Sequence, residues 1–380
     1  MVTNKKTIAV IFGGKSAEHD ISIITAHIPI IQSLTANGQF DIWPIYIAKN
    51  GSWYSDKKMN DLEFFKRKDF ENYLSKQKKI RLLFDNGLKI IWPSFGRKTV
   101  AIDIVFPAMH GTFGEDGSLM GLLRMANVPF VGCDMFASAM AMDKAITKQV
   151  LAAENIPIVP FVWFTKSEWE KNKNGLTQEI KKLKWPLFIK PVHLGSSIAI
   201  TKIKQESELE NAIEVAFHYD DKVLAEESVE NLIEVTLPII GNDELRLGGI
   251  ERRLDKTGFL DFNNKYLSGN KKSNDTDNPC REIPANINDD LKRQVENFGK
   301  QTYRILGCSG IARVDFLIDG NSQKVFVNEV NTLPGSLYCH NWRKMGVSGV
   351  DLVIKLVALA EERFQKQKNI TYTFHSDILN

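Results

Sequence analysis

Residues 7–12 form an unbroken apolar run, rich in β-branched side chains, that stops at Gly13-Gly14. A strand with no polar face has nothing to turn toward water. It therefore reads as a parallel strand covered on both faces and feeding a tight glycine turn. Helical spacing follows through Ile21, Ile24, Ile28 and Ile31, Asn37-Gly38 supplies C-cap chemistry, and residues 43–48 read as a second strand. The unit is βαβ. A further strand at 102–107, a glycine-rich loop and a helix at 119–126 extend it, so the first third reads as an open α/β sheet. Ligands of such sheets gather at the carboxyl ends of the strands, where both glycine-rich loops fall.

From about residue 137 the pattern changes. A long helix is expected over 142–154, then strands at 186–191 and 198–203, a helix at 206–217 and a strand at 222–226. The last third mixes strands at 313–318 and 324–328 with helices at 289–306 and 351–364. Residues 263–284 read as an exposed polar loop and 365–380 as a frayed tail. At 380 residues the length suggests two or three packed units.

Composition excludes several classes. A net charge of +3, with 49 lysines and arginines against 46 acids, gives no footprint for nucleic acid. No stretch approaches the roughly 20 apolar residues of a membrane span, and the run at 8–12 is too short for a secretory signal. The four cysteines are far apart with no CxxC pair, which reads as reduced thiols in a cytoplasmic protein.

The strongest chemical signal is near the C-terminus. Strand alternation puts Arg313 and Asp315 on one face and Glu329 and Asn331 on one face, and a turn at Asp319-Gly320-Asn321 would bring the two strands together. A cation beside three oxygen donors suits Mg²⁺ held jointly with nucleotide phosphates, or a surface salt-bridge ladder. A second signal is Lys190 before the small loop Gly195-Ser196-Ser197, with Lys144 on the preceding helix; a lysine and loop N–H groups can hold phosphate. Gly14-Lys15-Ser16 imitates the end of a P-loop, but Ala9 stands where that motif needs its first glycine.

Five runs, Phe12-Gly-Gly-Lys-Ser-Ala-Glu18, Met109-His110-Gly-Thr-Phe-Gly-Glu115-Asp-Gly117, the stretch ending Asp143-Lys144, the Lys190 loop and Asn328-Glu-Val-Asn-Thr-Leu-Pro-Gly335, occur in an order that resembles the D-alanine:D-alanine ligase family. The resemblance spans nearly the whole chain. It implies an α/β chain with the ATP-grasp fold preceded by a Rossmann-like open α/β domain, divided as 1–136, 137–234 and 235–380. It also implies ATP as substrate with two Mg²⁺ or Mn²⁺ ions, small D-amino acids as partners, and a homodimer.

Residue by residue, the resemblance assigns ATP to Lys144, Lys190, Ser196, Ser197 and Lys265, adenine to the run holding Glu226, Glu227 and Val229, and ribose to Glu234. Metal falls to Asp315, Glu329 and Asn331. Glu18 would hold the first substrate's ammonium beside His110, with Ser196 and Tyr266 completing its hydrogen-bonded set. Arg313 and the Gly335 N–H would stabilise the oxyanion, and Ser336 and Leu337 would take the second carboxylate.

Departures accompany the match, among them a polar insertion near 270–280. Ala199 replaces the usual glycine of the phosphate loop, about four residues are missing after Gly335, and residues 245–253, with their arginine-rich end, leave the usual pattern. The implied activity is synthesis of D-alanyl-D-alanine for peptidoglycan. A different second substrate (D-serine, D-lactate or another amino acid) and an inactive nucleotide-binding regulator stay open; Tyr266 argues for an amine as second nucleophile.

Overall fold

The computed structural model describes residues 5–85, 87–93, 98–195, 197–254, 281–376 and 378. Its first sheet runs in the order Trp53–Tyr54, Phe40–Ile47, Lys6–Gly13, Ile104–Pro107, the last three strands mutually parallel. Both faces of the central strand are covered, as its apolar run requires. Ile8, Val10 and Phe12 enter one core cluster, while Ala9 and Ile11 enter another with Leu119, Met120 and Leu123. The first cluster is closed by Leu352, Val353, Leu356 and Val357 from the final helix, Gly349–Lys368, so the end of the chain packs on its beginning. That helix continues to Lys368, beyond the expected stop at 364 and into the stretch read as a frayed tail.

The isoleucine periodicity misidentified the buried face of the first helix. The segment is His19–Thr25, a π-helical turn at Ala26–Ile31 containing Pro29, then Gln32–Asn37. Ile24 and Ile28 are exposed, and Ser22, Thr25, Ala26 and His27 are buried instead. Proline lacks an N–H, and the wider turn around it rotates the inward face. The polar groups on that face have partners: Ser22 Oγ donates to Ala108 O at 2.8 Å and accepts from Gly13 N at 2.8 Å. Gly38 caps the helix in the left-handed region (φ 73°), as its position after Asn37 suggested.

The helix expected over 142–154 is Lys144–Ala153, and a separate helix, Met135–Met142, precedes it across Asp143. The Asp143 carboxylate accepts from Ile146 N at 2.8 Å, capping the second helix and placing Lys144 in its first turn. A second sheet follows, antiparallel, in the order Thr201–Ile203, Leu187–Pro191, Lys222–Glu227, Phe161–Thr165. Helices Lys166–Ile180 and Leu209–Phe217 cover one face of it through Trp169, Ile180, Leu209 and Ile213.

The third sheet is built on a strand that sequence patterning did not isolate, Leu232–Gly241, which pairs with Gly310–Asp319 over ten residues. Its order is Arg281–Glu282, Glu251–Arg253, Leu232–Gly241, Gly310–Asp319, Lys324–Asn331. A small antiparallel sheet of Arg81–Phe84, Leu88–Ile91 and Thr99–Ile102, also unforeseen, lies beside the first sheet. No helix among the described residues is long and apolar enough to cross a membrane.

The turn after the first strand tests this arrangement. Gly13 has φ +89°, and a Cβ there would lie 2.3 Å from Ile47 O, the acceptor of the Gly14 N–H at 2.7 Å. Gly13→Ala is expected to lower stability by about 2 kcal/mol or more, seen as a lower urea midpoint with unchanged slope.

Candidate functional site

Strand pairing assembles the acidic end of the site. Gly310–Asp319 and Lys324–Asn331 form an antiparallel hairpin in which Arg313 faces Asn331 and Asp315 faces Glu329, with a bulge just after Asp315. Alternation keeps Val314 and Val330 in the core behind them. Arg313 donates through Nε and a terminal nitrogen to both Asp315 oxygens at 2.6 Å, and Asn331 Nδ2 donates to Asp315 Oδ2 at 3.1 Å. Burial alone would lower the Arg313 pKa, but Asp315 overrides it and holds the guanidinium well above its ordinary value. The Tyr338 ring lies 5.1 Å from the guanidinium.

The opposite wall comes from the second sheet and the Lys144–Ala153 helix. Glu226, 1% exposed, is paired by Lys190 and by Lys148, the latter at 3.0 Å. The Lys148 contact meets the distance of an ion pair but not the angles of a hydrogen bond. Burial pushes the Glu226 carboxyl up, yet its two lysines bring it down to about 2. At Lys148 the balance reverses, because burial outweighs the attraction of Glu226 and Glu329 while Lys190 adds repulsion, and its pKa falls. Lys144 is likewise lowered, first by burial, and its Nζ donates to Leu194 O at 2.6 Å. In the loop that follows, Ser197 and Ala199 both have φ 57°. Alanine thus occupies the left-handed conformation for which glycine is usual.

One pocket between these sheets is lined by Lys144, Lys190, Ser197, Glu226, Glu227, Val229, Glu234, Arg313, Asp315 and Glu329. An adjoining cleft, lined by Gly111, Glu115, Gly195 and Asn331, shares Lys144 and Glu329 with it. Three oxygen-bearing side chains on paired strands beside lysines make a donor set that fits a hard divalent cation bound with phosphate. Phe188, Thr236, Arg253 and Leu317 also line the pocket, and sequence reading did not single them out. For Arg253 the signal was there, in the arginine-rich end of 245–253.

The first sheet contributes the remaining groups. A Cβ added at Gly111 would lie 2.8 Å, and one at Gly195 3.7 Å, from Glu18 Oε2, so both glycine loops reach this acid. His110 is buried, with Nε2 2.8 Å from Thr25 Oγ1, which also accepts from Ser336 N at 3.1 Å. Burial would lower the His110 pKa, but Glu115 raises it above the ordinary value; Glu115 also accepts from Gly111 N at 2.7 Å. Thr25 and Glu115 were not assigned roles from the sequence, although Glu115 lies in a run quoted there.

Ser336, Leu337 and Tyr338 have φ 50°, 51° and 54° in succession. Leu337, expected at the second carboxylate, has a wholly buried side chain, and its N–H donates to Pro334 O at 2.8 Å. It anchors the turn. Gly335 is exposed and Ser336 half-buried beside Thr25. The expectations for Ser196, Lys265 and Tyr266 lie outside the described residues.

Comparison with known proteins gives matches along the whole chain. Residues 7–133 match the family profile described as D-ala D-ala ligase N-terminus, and residues 150–358 match D-ala D-ala ligase C-terminus. The D-alanine--D-alanine ligase of Thermosipho melanesiensis is 35% identical over 364 residues, covering 96% of each chain. That of Natranaerobius thermophilus is 35% identical over 375 residues, 97% of this chain and 98% of its own. Among solved structures, the D-alanine-D-alanine ligase from Coxiella burnetii superposes with TM-score 0.79 at 31% identity, covering 96% of each chain. The VanG D-Ala:D-Ser ligase from Enterococcus faecalis does so with TM-score 0.76 at 32% identity, covering 94% of this chain and 100% of its own.

The Glu226 cluster makes a pH-dependent prediction. Its folded pKa, about 2, lies below the ordinary 4.5, so its stabilisation is complete above pH 4.5 and disappears as pH falls toward 2. Glu226→Gln leaves buried lysines without their anion and should lose roughly 3–5 kcal/mol at neutral pH. Urea unfolding of both proteins should show the gap shrinking between pH 4.5 and 2.

Proposed function

The chain belongs to the D-alanine:D-alanine ligase family, and on that premise we propose that it joins two D-alanines into D-alanyl-D-alanine for peptidoglycan synthesis, with ATP converted to ADP and phosphate. The observation that carries this reading is convergence. The lysines, the Glu226–Val229 stretch and the Asp315–Glu329 pair line one pocket, and Glu18 approaches its phosphate loop from the first sheet.

In the first step the carboxylate of one D-alanine attacks the γ-phosphorus of ATP, forming an acyl phosphate and releasing ADP. Such a transfer depends on charge neutralisation and in-line placement more than on covalent help. Lys144 and Lys190 would supply positive charge after exchanging their present partners, Leu194 O and Glu226, for phosphate oxygens. Asp315, Glu329 and Asn331 would hold two Mg²⁺ or Mn²⁺ ions, which when bound neutralise the β- and γ-oxygens.

In the second step the amine of the other D-alanine, having lost a proton, attacks the acyl carbon, and phosphate leaves with the former C–O bonding pair. Arg313 and the Gly335 N–H would stabilise the tetrahedral oxyanion. Glu18 would pair the first ammonium, a group that must be neutralised once water is excluded, with His110 ordering the loop beside it. Ser336 would take the second carboxylate. Ser196, Ser197 and Lys265 would contact the phosphates, Tyr266 would join the Glu18 set, and Glu227, Val229 and Glu234 would serve adenine and ribose.

The units 1–136, 137–234 and 235–380 would be its domains, with the nucleotide between the last two. A cytoplasmic homodimer is part of the same reading.

Purified protein with ATP, Mg²⁺ and D-alanine should release ADP in proportion to a product with the mass of the dipeptide. A mixture with D-serine and D-lactate should still give mainly D-alanyl-D-alanine. Absence of D-amino-acid-dependent turnover would overturn the reading. Arg313→Ala should lower kcat per folded molecule, counted by circular dichroism, about 100-fold or more, and a near-normal rate would remove its oxyanion role.

A further inference from the structure

We propose that Arg253 is an additional anion-binding residue of the nucleotide site, donating its guanidinium to the polyphosphate of ATP, an inference that rests on the ligase reading above. Its place follows from register. In the third sheet Val235 pairs with Arg252 and Thr236 with Glu251, so the same ladder continued by one residue sets Arg253 beside Glu234. On the other side of that strand Glu234 pairs with Leu317 and Thr236 with Asp315. Alternation then puts Arg253 on the sheet face that carries Glu234, Thr236 and Asp315, and all four line the pocket.

The bonding of the pocket's cations separates Arg253 from the rest. Arg313 is forked onto Asp315, Lys190 is paired with Glu226, and Lys144 donates to Leu194 O. Arg253 makes no hydrogen bond to any described residue, and its Nε is buried without a partner. A buried guanidinium N–H left without an acceptor is unfavourable by more than an ordinary hydrogen bond contributes. Such a group persists where an anion compensates it.

Its neighbours indicate where that anion would be. Burial would lower the Arg253 pKa and Arg313 repels it, yet the Tyr338 phenol oxygen, Glu234 and Asp315 hold it above the ordinary value. Arg313 lies over the Tyr338 ring, and the two arginines, with Lys144 and Lys190, line one pocket. A planar fork of donors matches phosphate oxygens in pairs, as a lysine does not. Residues 245–253 are also where the chain departs from the family pattern, so the assignment comes from this pocket and not from the resemblance.

Calorimetry on the full-length protein with ATP, inorganic tripolyphosphate and adenosine tests the proposal. Arg253→Met should weaken ATP and tripolyphosphate about 10- to 100-fold and leave adenosine unchanged, with Arg253→Lys between the two. In turnover, the KM for ATP should rise by a similar factor while that for D-alanine holds. Equal weakening of adenosine and tripolyphosphate would reduce Arg253 to a structural role, and unchanged tripolyphosphate binding would overturn the proposal. If wild-type protein turned over no D-amino acid, the ligase reading would fail, while the tripolyphosphate comparison would still decide whether Arg253 binds phosphate.

Discussion

The fork between Arg313 and Asp315 is the contact on which the rest of the site depends. Both side chains are nearly buried, and each would be strongly unfavourable alone. Their spacing of two puts them on one face of a strand, and the facing strand brings Glu329 and Asn331 to the same place. Slipping the hairpin by one residue would turn Glu329 and Asn331 into the core and Val330 into the pocket. The apolar residues between the polar ones therefore fix the register that the polar ones require.

The opposite wall works by a related balance. Glu226 holds Lys148 and Lys190, and a loop carbonyl holds Lys144, so the cations expected to grip phosphate have protein partners in this structure. In the proposed reading, Lys190 would exchange Glu226 for phosphate while Lys148 stays with that carboxylate. Such exchange also favours a polyanion over a neutral ligand, because only an anion can replace what Lys190 would give up. The two walls are joined by the strand Leu232–Gly241, which carries Glu234 and Thr236 between the hinge acids and the hairpin.

Much of this was legible in the sequence, and the failures have physical causes. The apolar run before Gly13-Gly14 identified a strand with both faces covered, and period two placed Arg313, Asp315, Glu329 and Asn331 together. The isoleucine spacing identified a helix but not its inward face, because a π-turn around Pro29 does not keep the 3.6-residue count, and Ile24 and Ile28 end up exposed. The helix expected over 142–154 formed as Lys144–Ala153, starting two residues late because Asp143 is its N-cap. The strand Leu232–Gly241 was passed over because Pro238 weakens a strand reading, although this proline faces Arg313 within a regular ladder. The inward turn of Leu337 depends on three successive left-handed residues, which no local pattern announces. The arginine-rich end of 245–253 marked Arg253 as unusual, but only the pairing of its strand with Leu232–Gly241 puts it in the pocket.

The central claim is that this pocket activates a carboxylate by phosphorylating it, and isotope transfer tests it most directly. With D-alanine labelled by ¹⁸O in its carboxylate, attack on the γ-phosphorus places a substrate oxygen in the bridging position of the acyl phosphate. Aminolysis then releases that oxygen with phosphate. The account predicts one ¹⁸O in the inorganic phosphate for each dipeptide formed, read by mass spectrometry. Phosphate free of label, alongside continued dipeptide formation, would contradict it.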